Sequence, residues 1–140
     1  MKWRIDFWKP GESKKSPVMK ELEKEIKGNS EARKIFLALV ETLEDLGPRE
    51  FASSRNKPLG RGLYELRDLA NGKRYYYVET HFSGSKENIG EKIILLLGAV
   101  GSKNNPSEQN RDIMKARERL ETISKDNILN KDSIEIKEKK

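Results

Sequence analysis

The chain contains no cysteine and a single histidine, His81. The first absence excludes disulfides, thiolate metal sites and a cysteine nucleophile. The second leaves no histidine-rich metal centre. Long apolar runs are also missing. The longest, Ile93 to Leu97, is far short of the ~20 residues that span a bilayer. The opening Met1-Lys2-Trp3-Arg4-Ile5-Asp6 has no apolar stretch of the signal-peptide kind. A cytoplasmic location with no membrane partner is therefore expected. There is no glycine-rich phosphate loop, no Ser/His/Asp arrangement in a known context and no acidic cluster at metal-ligand spacing. Neither a metal nor another cofactor is expected.

What remains is one domain's worth of charged sequence. A chain of 140 residues can bury roughly 68–70% of its unfolded surface, so it folds without a staple. Charged residues make up 37% and hydrophobic residues 34%, which calls for a compact core and frayed segments. Lys and Arg number 29 against 23 Asp and Glu, a net charge of +6. That balance favours a polyanion such as nucleic acid. A lysine-rich solvated surface accounts for it equally well.

Trp3 to Trp8 alternates large apolar with polar side chains, as a half-buried strand does. Lys9 to Lys15 is loop chemistry. Ser16-Pro17 supplies an N-cap and a first-turn proline, predicting a helix over Pro17–Ile26 that Gly28 ends. Ser30 is the candidate cap of a second helix, with Ala32, Ile35, Phe36, Leu39, Val40, Leu43 and Leu46 on one stripe. Gly47-Pro48 stops it. Two helices joined this closely form a helical hairpin.

The period then changes to that of strands. Leu63, Glu65 and Arg67 fall on one side of a strand, and Tyr64, Leu66 and Asp68 on the other. Asn71-Gly72 is a hairpin signal of the type I′ kind, and Lys73 to Phe82 makes the return strand. Ile93 to Val100 reads as a strand buried on both faces. Asn105-Pro106-Ser107-Glu108 opens a last helix carrying Ile113, Met114, Arg117, Leu120 and Ile123. The order of strand, helical hairpin, antiparallel strands and C-terminal helix is α+β. Residues 1–124 form the expected domain, and residues 125–140 a charged, flexible tail.

Between Arg55 and Arg74 six basic residues (Arg55, Lys57, Arg61, Arg67, Lys73 and Arg74) stand against Glu65 and Asp68, a local balance of +4. Tyr75, Tyr76 and Tyr77 follow directly. Cationic side chains bind phosphates and tyrosines stack on unpaired bases, a combination suited to single-stranded RNA. The competing reading is that the tyrosines fill the interface between sheet and helices while the charges form a solvated face. Gly60-Arg61-Gly62 reads as a flexible entry to the strand.

Ser16-Pro17-Val18, the segment Lys57-Pro58-Leu59-Gly60-Arg61-Gly62-Leu63-Tyr64-Glu65-Leu66-Arg67, and the run Ile93 to Val100 followed by Pro106 and a basic helix resemble the RelE/ParE toxin superfamily. Within it they are most similar to the phage-derived HigB-like branch. The resemblance covers roughly residues 3–123, and Gly-Leu-Tyr-Glu-Leu-Arg is its most specific part. It implies a curved sheet of RelE type and a toxin of a type II toxin–antitoxin pair. Such a toxin cleaves ribosome-bound mRNA by metal-independent attack of the RNA 2′-OH, and its partners are a cognate antitoxin, mRNA and the ribosome. Arg67 matches the family's sheet arginine and is the expected contact to the scissile phosphate. An ion pair with Glu65 or Glu79 is its other reading.

The sequence departs from the family in two places. An arginine expected after the strand tyrosine is replaced by Tyr76, with Arg74 nearest. The usual His-Gly-Phe and paired lysines are replaced by Leu97-Gly98-Ala99-Val100-Gly101-Ser102, leaving Lys103. The catalytic set implied is Arg67, Arg74, Tyr76 and Lys103, with Arg55, Lys57, Arg61, Lys73 and His81 as RNA contacts. A non-enzymatic ParE-like gyrase inhibitor, a degenerate toxin homologue and a plain RNA-binding module are the alternatives.

Overall fold

The computed structural model describes residues 3–10, 15–51, 54–82, 91–101 and 106–125, with backbone alone for 80–82, 91–93 and 123–125. In chain order the elements are β1 (Arg4–Phe7), α1 (Pro17–Ile26), α2 (Ser30–Leu46), β2 (Asn56–Gly60), β3 (Leu63–Asp68), β4 (Lys73–Phe82), β5 (Glu91–Val100) and α3 (Pro106–Lys125). The strands form one sheet in the order β1-β5-β4-β3-β2. β1 runs parallel to β5, and the other pairs are antiparallel. The expected α+β architecture stands. Lys103 and the tail beyond Lys125 lie outside the described residues.

Local chemistry sets the helix ends. Ser16 caps α1: its hydroxyl accepts from the Met19 N–H at 3.3 Å and donates to the Trp8 carbonyl at 2.6 Å, tying the end of β1 to the helix. The cap of α2 is Asn29, one residue earlier than expected, accepting from the Ala32 N–H at 3.0 Å. Ser30 is the first helical residue instead. Gly28 turns the chain at φ 75°, so Asn29 is already placed to start the next helix. Gly47 ends α2 at φ 81°, and a Cβ there would come within 2.7 Å of Trp3 Cε2. Conformation and close approach both require glycine.

The turns correct two expectations. Gly60-Arg61-Gly62 is no flexible entry. Gly60 pairs with Leu63, and Arg61 and Gly62 between them have φ of 53° and 83°, as a two-residue primed hairpin turn requires. β2 is thereby an edge strand, where Pro58 is tolerated. Asn71-Gly72, in contrast, is part of a four-residue loop, because Asp68 pairs with Lys73. Only Gly72 takes positive φ there (65°). Asp68 organises the loop by accepting from the Asn71 N–H at 3.0 Å and the Asn71 side-chain amide at 2.9 Å.

The sheet is covered on both faces. Against α1 and α2 it packs Leu66, Tyr75, Tyr77, Ile94 and Leu96 on Val18, Leu22, Phe36, Leu39 and Leu43. Against α3 it packs Leu63, Tyr76, Val78, Leu95 and Leu97 on Ala116. A register shift between Tyr76 and Tyr77 sets Tyr76 opposite Gly98 and Tyr77 opposite Leu96. This leaves Leu97 as the extra residue of a bulge.

Tyr75, Tyr76 and Tyr77 are thus interior residues, none more than 1% exposed. Of the two readings of these tyrosines, the one in which they fill the interface between sheet and helices holds, and the one in which they stack on bases does not. A β-strand places alternate residues on opposite faces, and here both faces are roofed by helices. Tyr77 donates to Asn56 Oδ1 at 2.6 Å, and Asn56 Nδ2 donates to the Pro48 and Phe51 carbonyls at 2.9 Å each. Burial, followed by the neighbouring Tyr64, pushes the Tyr77 hydroxyl pKa upward and keeps it a donor. Tyr77→Phe is expected to destabilise the chain by about 1–2 kcal/mol, since the buried Asn56 oxygen loses its partner. Urea unfolding measures it, and a difference below about 0.5 kcal/mol would remove this node from the account.

Candidate anion-binding site

On the face that α3 covers, the helix packs over β4 and β5, and among the described residues the end near the β3–β4 loop is only partly covered. There Arg67 and Arg74 are direct cross-strand partners, with side chains 28% and 20% exposed. Like charges facing each other on adjacent strands repel. Glu65 offsets this: one carboxylate oxygen lies 3.2 Å from Arg67 Nε and the other 3.2 Å from Arg74 Nη1. Arg67 therefore makes one of the two ion pairs its second reading named, while about a quarter of its side chain remains in water. A hollow of about 150 Å³ adjoins the pair, lined by Arg67, Asp68, Leu69, Gly72, Lys73 and Arg74.

Two more cations join them, Lys57 from β2 and Arg55 from the turn just before it. The Arg67 N–H donates to the Arg55 carbonyl at 2.7 Å, which sets Arg55 level with Arg67 one strand over. Lys57 is the cross-strand partner of Glu65. Arg55 and Lys57 are both exposed. Four basic residues separated by up to nineteen positions thus converge on one corner of the sheet, with adjacent strands only about 4.8 Å apart. This clustering of positive charge over a partly roofed surface is an electrostatic footprint for a polyanion.

The other sequence candidates sit elsewhere. Lys73 borders the hollow, but its ammonium lies 3.0 Å from Glu25 on α1. Arg61 occupies the β2–β3 turn, at the far end of β3 from Arg67. Tyr76 lies beneath the arginines at 1% exposure. Its hydroxyl has no well-formed hydrogen bond. Burial first, then the Glu65 and Asp112 carboxylates, raise its pKa against the opposing effect of Arg74. It is held protonated and faces no solvent, so as placed it touches nothing bound in the hollow. His81 pairs with Lys92 in the ladder, seven positions along β4 from Arg74, or roughly 24 Å at ~3.4 Å per residue. Its side chain lies outside the described residues, as does Lys103. Among the described residues no three His, Cys, Asp or Glu side chains converge as metal ligands, and no helix is long and apolar enough to cross a membrane.

Two cations of α3 hold the layers together: Arg117, which the helical stripe already included, and Arg119, which no sequence pattern marked. Arg119, 8% exposed, donates to Glu21 Oε1 and Oε2 at 3.0 and 2.7 Å and to the Leu97 carbonyl at 2.7 Å. It also lies over the Trp8 ring, 5.1 Å from its centroid. Arg117 donates to the Leu59 and Gly60 carbonyls at 2.9 and 3.3 Å. The helix face turned inward includes Ala116, whereas Met114, expected on the stripe, is 59% exposed. Ala116 is too small and Arg119 too charged to register in a hydrophobic pattern. The three-residue spacing of Ala116 and Arg119 was the available clue.

The architecture defines a class: a mixed five-stranded sheet between a helical hairpin and a C-terminal helix, with a cationic corner. No family model matches the sequence, and no curated protein does. Among solved structures, the chain is similar to a double arginine-to-alanine variant of E. coli toxin RelE in the free state. That similarity has a TM-score of 0.51 and 17% identity, covering 86% of this chain and 99% of that one. It also matches the isolated E. coli RelE toxin (TM-score 0.44, 13% identity, 78% and 94% covered). A third match is the same RelE variant bound to an antitoxin RelBc peptide (TM-score 0.43, 19% identity, 79% and 94% covered). The chain has a RelE-like fold.

Proposed function

We propose that this chain is a HigB-like toxin of a type II toxin–antitoxin pair that acts in the cytoplasm, where it cleaves ribosome-bound mRNA and is neutralised by a cognate antitoxin protein. The convergence of Arg55, Lys57, Arg67 and Arg74 on the partly covered corner carries the reading. The RelE-like fold and the Gly62 to Arg67 motif support it. In the reaction proposed, the RNA 2′-oxygen bonds to its own 3′ phosphorus and the bond from phosphorus to the 5′-oxygen breaks. The proton leaves to water, and one returns to the departing oxygen. Arg67 and Arg74 hold the phosphate in line and stabilise its growing charge, and each such effect can contribute several kcal/mol.

A second reading draws on Tyr76, which is buried, and Glu65, which occupies one donor of each arginine. It is a non-enzymatic relative: a ParE-like gyrase inhibitor or a degenerate toxin. Mapping transcript ends in cells after induction separates the two. New ends are expected inside translated frames and not in the same transcripts stripped of their start codons, with growth restored by the antitoxin. Intact mRNA alongside inhibited DNA supercoiling, or no growth defect at all, would establish the second reading instead.

A further inference from the structure

We infer that Glu65 is the positioning residue of this corner: its carboxylate fixes Arg67 and Arg74 as a two-pronged clamp for one phosphodiester group. The inference rests on the nucleic-acid reading above and adds to it a residue that itself touches no RNA. Glu65 is buried, its side chain 3% exposed. It stands on the α3-facing side of the sheet, where its neighbour two residues earlier is Leu63, 0% exposed. Removing a carboxylate from water here is unfavourable, and an apolar side chain would pack with Leu63 and Tyr76 at less expense to stability. What the carboxylate provides is geometry. Each oxygen takes one N–H from one guanidinium. A guanidinium has five N–H donors in a rigid fork, so several on each arginine stay available for an anion. With two planar forks locked to one acceptor, a phosphate entering beside them meets donors already oriented. Little side-chain freedom is then lost on binding.

The same carboxylate also lowers the local charge by one. Removing it therefore has opposite effects on two measurable quantities. Glu65→Gln puts a donating amide where one of the two carboxylate oxygens faces an arginine, so in this geometry only one guanidinium keeps its acceptor. Attraction for RNA should rise while the oriented clamp is lost. In purified protein with a fluorescent 2′-O-methyl RNA oligonucleotide, Glu65→Gln is expected to bind as tightly as wild type or up to about fivefold tighter. Its plot of log affinity against log salt should steepen by roughly 0.7, as one more cation engages the strand. On ribosome-bound mRNA, its cleavage rate should fall roughly 10- to 100-fold at saturating substrate. A residue needed only for folding would weaken binding and cleavage together and leave the salt slope unchanged; that result overturns the inference, as does wild-type behaviour in both assays.

Should Glu65→Gln fail to fold, Glu65→Asp replaces it. It keeps the charge but is one methylene shorter, so it reaches one arginine only. It should lose cleavage with no change in salt slope, and a wild-type rate would overturn the proposal. If wild-type protein cleaves no mRNA, the nuclease reading falls and the salt slope alone decides. A steeper slope in Glu65→Gln keeps the clamp as a binding device, and an unchanged slope removes it.

Discussion

If the chain cleaves ribosome-bound mRNA as proposed, Arg67→Ala is expected to slow that cleavage roughly 10²- to 10³-fold, the loss seen when one preorganised donor to a developing anion is removed. Arg67 is the more exposed member of the arginine pair and lines the hollow, so its free donors are the first a phosphate meets. Folding should be almost unaffected, because Glu65 keeps its second ion pair, to Arg74. Arg67→Lys keeps the charge but not the planar fork and should recover only part of the rate. Cleavage rates in a purified translation mixture, read beside thermal melts, test both variants. Equal rates for wild type and Arg67→Ala would withdraw Arg67 from the reaction.

The second large effect concerns the layers themselves. β1 pairs with β5 only as far as Leu96, so beyond it the side of β5 turned away from β4 has no strand partner among the described residues. Glu21 and Arg119 close that edge. The Leu97 carbonyl accepts from Arg119 at 2.7 Å and the Ala99 N–H donates to Glu21 at 3.4 Å. Lys115 adds a contact to Glu21 at 3.2 Å. Replacing Glu21 by glutamine leaves a buried guanidinium with an uncharged partner. A loss of roughly 2–3 kcal/mol follows, somewhat less than for breaking a fully buried pair, because a fifth of the Glu21 side chain still sees water. For a chain of this length that is on the order of 10 °C in melting temperature.

This second effect should also depend on pH. Burial raises the Glu21 pKa, but Arg119 and Lys115 outweigh it and hold the carboxyl below its ordinary 4.5. A carboxylate depressed in the folded state adds its full stabilisation above the unfolded pKa. It loses that stabilisation as pH falls through the folded value. The stability gap between wild type and Glu21→Gln should therefore be constant near neutrality and shrink in acid below about pH 4.5. Denaturant titrations at a series of pH values measure it. A gap that widens in acid would contradict the assignment.

The legible parts of this fold were those with strong local signals. The hairpin helices were marked by Ser16-Pro17 and Gly47-Pro48, by Gly28 between them and by the apolar stripe of the second helix. β1 and β3 were marked by alternation, β4 by its run of β-formers and β5 by a dense apolar run. β2 was not legible: Lys57 and Pro58 are exposed on an edge, so neither periodicity nor β propensity marked it. Asn71-Gly72 misled because the dipeptide fits a primed turn, yet the Asp68 carboxylate caps a longer loop through a side chain that turn statistics ignore.

The candidate site divides in the same way. The basic segment from Arg55 to Arg74 was evident from composition, and the face shared by Glu65 and Arg67 from strand alternation. Which cations meet depended on register. Pairing of Arg67 with Arg74 and of Lys57 with Glu65 brings four of them to one corner, while the turn carries Arg61 away and Glu25 engages Lys73.

The amino-acid order alone determined the α+β class, the helical hairpin, four of the five strands and the excess of positive charge, because caps, periods and charges are local properties. Only the packed molecule decided that the three tyrosines are core and that Arg119 is internal. It also decided that Glu65 joins two arginines across neighbouring strands. Those outcomes depend on helices covering both sides of one sheet and on strand register, contacts between residues far apart in the chain that no local pattern encodes.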